Sequence, residues 1–331
     1  MSHRSEWSVG TPQKLTFGEP VERVRVRVSA GTVNIVGTDT PGAGPGPGPS
    51  EKAPAAAEFE AATGTSSGSG LTSATVEVSA IKGPPLIVTF EDGTLTVAYE
   101  DITWHNLLKW LEGPEQRRSA DITLAVPVGA DVRVGVVDAA AVVSGVEGST
   151  EIRGVTGDTT LVGLGNYVRA DTVSGNVAAQ ALTGRLRFTS VSGDLTVIDG
   201  GAAAVRADSV SGDVVVDLAA PDPTAPDPTA GPYPEADLTL NTVSGDIAVR
   251  LPDPADAVVD ASTKGGTVSC AFDNLRVDGQ WGARRVSGTL GSGRGTLKAA
   301  TVSGAVALLR RPPADDESKP PTGAASLRKD V

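Results

Sequence analysis

Serine, aspartate and arginine each recur in this chain at spacings that would align them into columns, and a column of any of the three could do chemistry. The serines belong to a Val-Ser-Gly tripeptide: Ser174, Ser192, Ser211, Ser244, Ser287 and Ser303. A nucleophilic serine needs a base and an acid that orients the base. The only histidines are His3 and His105, both far from the repeats in sequence, and they cannot serve six serines. The hydroxyls are therefore expected to bond the backbone of their own turns. Asp194, Asp213 and Asp246 follow the same tripeptide, and Asp158 and Asn176 continue the series. Carboxylates stacked about 4.8 Å apart repel one another. Two readings stay open for Asp194, Asp213 and Asp246: a ladder that holds a cation such as calcium, or solvated turn aspartates bonded to local backbone. The calcium-binding roll repeat carries G-G-x-G-x-D, two glycines more than V-S-G-D, so no metal or other cofactor is expected. Arg169, Arg187 and Arg206 form a third column, followed by Thr239 and Lys298, with Asp171, Thr189, Asp208 and Asn241 two residues further on. That column is either a salt-bridged solvated face or a surface for an acidic partner. Cys270 is the one cysteine, which excludes an internal disulfide framework, and it reads as a small buried hydrophobe.

The elements that must position these columns are read from the repeat itself. The glycines of the tripeptide lie at 175, 193 and 212, steps of 18 and 19, and the step of 33 to Gly245 contains the insert PDPTAPDPTAGPYPE. Related corners stand at Gly145, Gly157, Gly288 and Gly304. Each coil has a second turn halfway round, as at L182-T-G-R and Gly200-Gly201. Between the turns, L186-R-F-T-S, V205-R-A-D-S and L238-T-L-N-T alternate with period two, as do D194-L-T-V-I, D213-V-V-V-D and D246-I-A-V-R. That alternation points Leu186, Phe188, Val205, Ala207, Leu238 and Leu240 inward, together with Leu195, Val197, Val214, Val216, Ile247 and Val249. Glycine in every period argues against a helical repeat. The expected fold is all-β: a single-chain parallel β-solenoid, or β-helix, with two short strands per coil of 18 or 19 residues.

The solenoid is expected over 20–310, after an N-terminal segment 1–19, with the region from 120 to 310 continuous and the strands from Val24 to Tyr99 as its first, degenerate coils. Residues 40–70 and 220–235 are rich in Pro, Gly, Ala and Thr and read as disordered inserted loops, and 311–331 as a disordered tail. One short helix is expected over 101–112, because Trp104, Leu107, Leu108 and Leu111 fall at helical spacing before Gly113-Pro114.

Composition narrows the function classes. There are 28 Lys and Arg against 40 Asp and Glu, a formal charge of −12, which argues against nucleic acid as a partner. Only 4% of residues are aromatic, which suits a thin core of small side chains. Neither a transmembrane segment nor a secretory signal is visible, so a cytoplasmic location is the expectation.

The run of T-V-S-G-D repeats, entered through A120-D-I-T-L-A-V-P-V-G-A-D-V-R-V and preceded by the S-A-G-T-V-N-I strand pair, resembles the bacterial putative-adhesin family, a domain of unknown function made of β-strand repeats. The resemblance implies a β-solenoid of undefined biochemical role and supplies no catalytic residues. The expectation is a non-enzymatic scaffold or interaction protein whose partner is a protein or an anionic envelope polymer. Two alternatives from other classes are a β-helical polysaccharide-processing enzyme, which needs a carboxylate pair in a groove, and a cytoplasmic regulator of an envelope-stress response.

Overall fold

The computed structural model describes residues 4–38, 73–99, 118–201, 204–219, 237–280 and 282–311. Every regular element among them is a strand. The helix expected over 101–112 lies outside the described residues, as do the inserts 40–70 and 220–235 and the tail beyond Arg311.

The first strands are β1 (Ser5–Val9), β2 (Gln13–Phe17), β3 (Arg23–Thr38), β4 (Ala74–Lys82), β5 (Leu86–Glu91), β6 (Thr94–Ala98), β7 (Ser119–Pro127) and β8 (Asp131–Ser144). Strands β3 and β8 each run through two coil faces, with the alternation breaking at Val28-Ser29 and Val136-Val137 where they pass from one to the other, and they pair in parallel from Arg23↔Asp131 to Val36↔Ser144. Each contributes to two sheets that face one another across the core. Strands β6 and β7 stack on β3 in parallel as a further coil, whereas β4 and β5 do not. Strand β5 pairs antiparallel with β6 and β1, while β4 pairs antiparallel with β7 and β2. The expectation of degenerate coils is corrected for β4 and β5 alone: Asp92 and Gly93 both have positive φ (47° and 70°), the two-residue turn that folds β5 back on β6 as a hairpin. Residues before 20 supply two edge strands, and the Trp7 and Phe17 rings meet edge to face at 5.2 Å to close this end.

Beyond β8 the chain settles into coils. Strands β9 (Thr150–Arg153), β11 (Tyr167–Asp171), β13 (Arg185–Thr189), β15 (Ala204–Asp208) and β17 (Asp237–Asn241) stack in the first sheet. Strands β10 (Thr159–Val162), β12 (Val177–Gln180), β14 (Leu195–Gly200), β16 (Val214–Leu218) and β18 (Ile247–Leu251) stack in the second. All these pairings are parallel, with registers Val168↔Leu186, Leu186↔Val205 and Val205↔Leu238 that reproduce the sequence steps of 18, 19 and 33. The twelve side chains expected to point inward are all buried, at 2% exposure or less. Each such Val or Leu contributes about 2 kcal/mol, and only because the coils above and below cover it.

The last third departs from simple succession. Strands β19 (Ala257–Thr263), β20 (Val268–Cys270), β21 (Arg276–Gln280), β22 (Ala283–Leu290), β23 (Gly295–Thr301) and β24 (Val306–Arg310) follow in sequence. In space, β23 lies between β17 and β19, and β24 lies between β18 and β20. The final coil is therefore inserted between its two predecessors. The expected continuous parallel stack from 120 to 310 is corrected here, since β22 and β21 add antiparallel to β19. These strands cover the edge that β19 would otherwise leave open. The Val286-Ser287-Gly288 copy consequently leaves the corner column and becomes part of β22, with Val286 buried against Ala261. A buried carboxylate secures the return: Asp256 accepts from Arg294 Nε (2.8 Å), Ser292 Oγ (2.8 Å) and the Arg294 backbone N–H (3.1 Å). The bonds from Arg294, first the side chain and then the backbone, hold its pKa far below the usual carboxylate range.

Candidate interaction face

At the corner carrying the tripeptide the coils touch through their backbones. Gly157, Gly175, Gly193, Gly212, Gly245, Gly304 and Gly266 form one column in which backbone passes over backbone. A Cβ on Gly212 would stand 2.0 Å from the Gly193 carbonyl oxygen, and one on Gly245 2.0 Å from that of Gly212. Close approach, not positive φ, is what demands glycine here. The hydroxyls of Ser174, Ser192, Ser211, Ser244 and Ser303 bond backbone, as expected: Ser211 Oγ donates to the Val191 carbonyl (3.1 Å) and Ser174 Oγ to that of Val155 (3.2 Å). Ser287, on β22, stands outside this column.

The aspartates bond backbone in the same way. The N–H of Asp213 donates to Asp194 Oδ1 (2.8 Å), that of Asp246 to Asp213 Oδ1 (2.7 Å), and that of Ala305 to Asp246 Oδ1 (2.7 Å). Asn176 sits in the column as an equal member, accepting from the Asp194 N–H at 3.0 Å. Among the described residues, no group of three or more His, Cys, Asp or Glu is placed to hold a metal ion.

A lock that the sequence reading passed over lies one residue before each valine. The hydroxyls of Ser190, Ser209, Thr242 and Thr301 are buried and accept the N–H of the corner glycine three residues on, at 2.7 to 3.2 Å. A Ser or Thr three residues before Gly175, Gly193, Gly212, Gly245, Gly266 and Gly304 was its signal. The valines that follow stand 40–50% exposed at Val173, Val191, Val210, Val243 and Val302. Cys270 is half-buried, its Sγ 3.5 Å from the Phe272 N–H.

The outer face of the first sheet gathers the arginines. Register places Arg169, Arg187, Arg206, Thr239, Lys298 and Asp260 in one line across β11, β13, β15, β17, β23 and β19. Arg169 Nε donates to Asp171 (2.7 Å) and Arg206 Nε to Asp208 (2.9 Å). The bond to Asp171 holds Arg169 above the ordinary guanidinium range. Burial works to raise the pKa of Asp208, but bonds from Asn241 and Arg206 outweigh it and the carboxyl lies below its usual range. Arg187 differs, because Thr189 occupies the position that Asp171 and Asp208 hold on the neighbouring strands. It makes no ion pair among the described residues, and neither does Arg185 on the same strand, which sits directly across from the exposed ring of Tyr167.

At the far end of this face, where β22 pairs with β19 and β21, an open groove of about 710 Å³ is lined by Asp260, Ser262, Lys264, Asp278, Arg284 and Arg285. Arg285 clamps Asp260 with two bonds (2.7 and 2.6 Å), and Arg276 neutralises Asp278 at 2.8 Å. Lys264 and Arg284 make no ion pair among the described residues, so the groove keeps two surplus cations.

Comparison with known proteins adds a family to this geometry. Residues 234–309 match the family model Toastrack DUF4097. The resemblance seen in the repeats therefore stands, and the Toastrack stretch takes in β17 through most of β24, including the inserted final coil and its cap. The coils before the Toastrack match carry the same corner, with the same glycine, serine and aspartate columns. No curated protein matches the chain. A solved structure of a putative cell adhesion protein from Clostridium sporogenes aligns over 91% of this chain and 100% of that one, at 10% identity and a TM-score of 0.19. A superposition that poor carries no argument about shape or role.

Proposed function

We propose that this protein is a non-enzymatic, adhesin-like strand-repeat scaffold that presents the outer face of its first sheet to an anionic partner. The observation that carries the reading is that Arg187, in the line of Arg169, Arg206 and Lys298, and Arg185 beside it make no ion pair among the described residues, on a chain of net charge −12. The serine and aspartate columns support the non-enzymatic part, because each serine hydroxyl of the corner column and one oxygen of each aspartate bond the backbone of the neighbouring coil. Finer than the all-β, parallel-rich architecture is the reading of the coils as one β-solenoid that serves as a rigid rack. It is supported by the parallel pairing of successive coils in both sheets from β8 to β18, with one bulge at Val197–Gly200 in the second.

The test is retention on immobilised carboxylate and sulfate matrices near neutral pH, which should reject a protein this acidic unless a local face holds it. Wild type should be retained at low salt and released as salt rises, since exposed charges are screened over about 8 Å at physiological ionic strength. The variant with Arg169, Arg187 and Arg206 replaced by glutamine should pass through with its fold intact. Identical elution of the two proteins would overturn the reading.

A further inference from the structure

We infer that the anionic partner is a linear acidic polysaccharide, carrying a carboxylate or sulfate on successive sugars, which lies along the first sheet from Tyr167 to the groove at the β19–β22 end. The inference rests on the reading of this face as anion-binding and specifies its ligand. Four features of the face point to a sugar polymer. The cations form a track: from β13 through β15, β17, β23 and β19 to β22 is five strand spacings, about 24 Å at about 4.8 Å each, and Arg185, Arg187, Arg206, Lys298, Arg285 and Arg284 mark its length.

The track also begins at an aromatic platform. Tyr167 is 41% exposed beside Arg185, and a phenol ring next to a guanidinium suits a sugar ring that bears an acid group.

A groove stands at the far end of the track, with Lys264 and Arg284 uncompensated and Ser262 on the same lining, which offers a concave seat with cationic and hydroxyl donors. Asp260 beside Lys298 does not close the track, because Arg285 already satisfies both of its oxygens.

The backbone of the face, finally, is not available. Strands β13, β15, β17 and β23 are each paired on both sides, so their N–H and C=O groups are consumed by the ladder. A peptide that docks by strand addition needs an open edge, whereas a polysaccharide asks only for side chains. Nucleic acid is disfavoured by the net charge of −12.

The experiment is titration calorimetry with three probes: a defined-length oligogalacturonate, a heparin oligosaccharide and poly-L-glutamate of similar length. Two double variants test the two ends of the track, Arg185→Gln with Arg187→Gln, and Lys264→Gln with Arg284→Gln. At least one saccharide should bind, and each double variant should weaken it about tenfold, as expected for the loss of two exposed charge contacts. If a double variant fails to fold, Arg187→Gln and Arg284→Gln singly carry the test, with a smaller loss expected from each. Poly-L-glutamate binding as tightly as the saccharides, with the arginine variant weakening it, would leave the anionic face standing and overturn the polysaccharide. Saccharide binding that ignores the groove variant would overturn the track. Binding of none of the three would overturn both the ligand and the face.

Discussion

The outward column of the first sheet runs Arg169, Arg187, Arg206, Thr239, Lys298, whereas that of the second runs Thr160, Ala178, Thr196, Val215, Ala248, Ala307. Both columns sit on the same coils and cover the same core. Where the second sheet does carry charge, it is used up inside the fold. Asp217 is buried, bonded by Arg250 through both oxygens, and approached by Arg311, which also bonds Asp199 (2.8 Å) and the Leu218 carbonyl (3.0 Å). Stacking dictates the inward residues and the corners and says little about what points outward. Uncompensated charge on one face only is thus a property the fold does not need, and a partner is the simplest reason for it.

The strongest way to break both faces at once is to strike the column they share. Gly212→Val places atoms where the Gly193 carbonyl already lies. The coils must separate, at a cost of about 3 kcal/mol or more. Denaturant titration should show the midpoint collapse, while Gly129→Ala, which meets nothing within 4 Å, should leave it in place. Equal midpoints for the two variants would mean the corner column does not hold the stack.

The two faces should also respond differently to loss of charge. Asp217→Ala removes a buried carboxylate that Arg250 bonds and Arg311 approaches, and should cost about 2 kcal/mol. Arg187→Gln on the first sheet breaks no ion pair and should change stability by less than about 0.5 kcal/mol. A large loss for Arg187→Gln would show that the first face is structural too, and would remove the ground for assigning it to a partner.

Much of this contrast was legible in the sequence. Period-two alternation identified every inward residue named from it, and equal spacing identified the arginine and aspartate columns. Compensation was harder to see, since it depends on which residue stands two positions on: Thr189 leaves Arg187 unpaired where Asp208 pairs Arg206. The order of the last coils had no local signal at all. The tripeptides at Val286 and Val302 look alike, yet one lies in an antiparallel cap and the other on the corner column, because insertion of β23 and β24 is decided by contacts with strands some 60 residues earlier. The groove was invisible for the same reason, being lined by β19, β21 and β22, which only the antiparallel cap brings together. The hairpin at Asp92-Gly93 could have been read, since that dipeptide between alternating runs is a turn signal.

The carboxylate that secures the cap gives a pH dependence. The pKa of Asp256 is depressed in the folded protein, so its contribution to stability is complete above the ordinary aspartate pKa, about 3.9, and is lost as pH falls through the folded value. Wild type should therefore exceed Asp256→Asn in melting temperature at pH 6, and the gap should narrow steadily below about pH 4. A gap that widened on acidification would contradict the arrangement of Arg294 and Ser292 around this carboxyl.

The smallest expected effect is at Asp213, and it separates the two readings of the aspartate column. If its role is to accept the Asp246 N–H through Oδ1, an amide oxygen does the same, as Asn176 already does for Asp194. Asp213→Asn should then be nearly neutral, relieved of repulsion from Asp194 and Asp246, whereas Asp213→Ala should lose one hydrogen bond worth about 1 kcal/mol. A column that instead held calcium would behave in the opposite way. Binding to the folded state raises stability by mass action, so calcium would raise the melting temperature of the wild type, chelator would reverse it, and Asp213→Asn would abolish the rise. The backbone bonds favour no response to calcium, because one oxygen of each carboxylate is already turned toward the next coil.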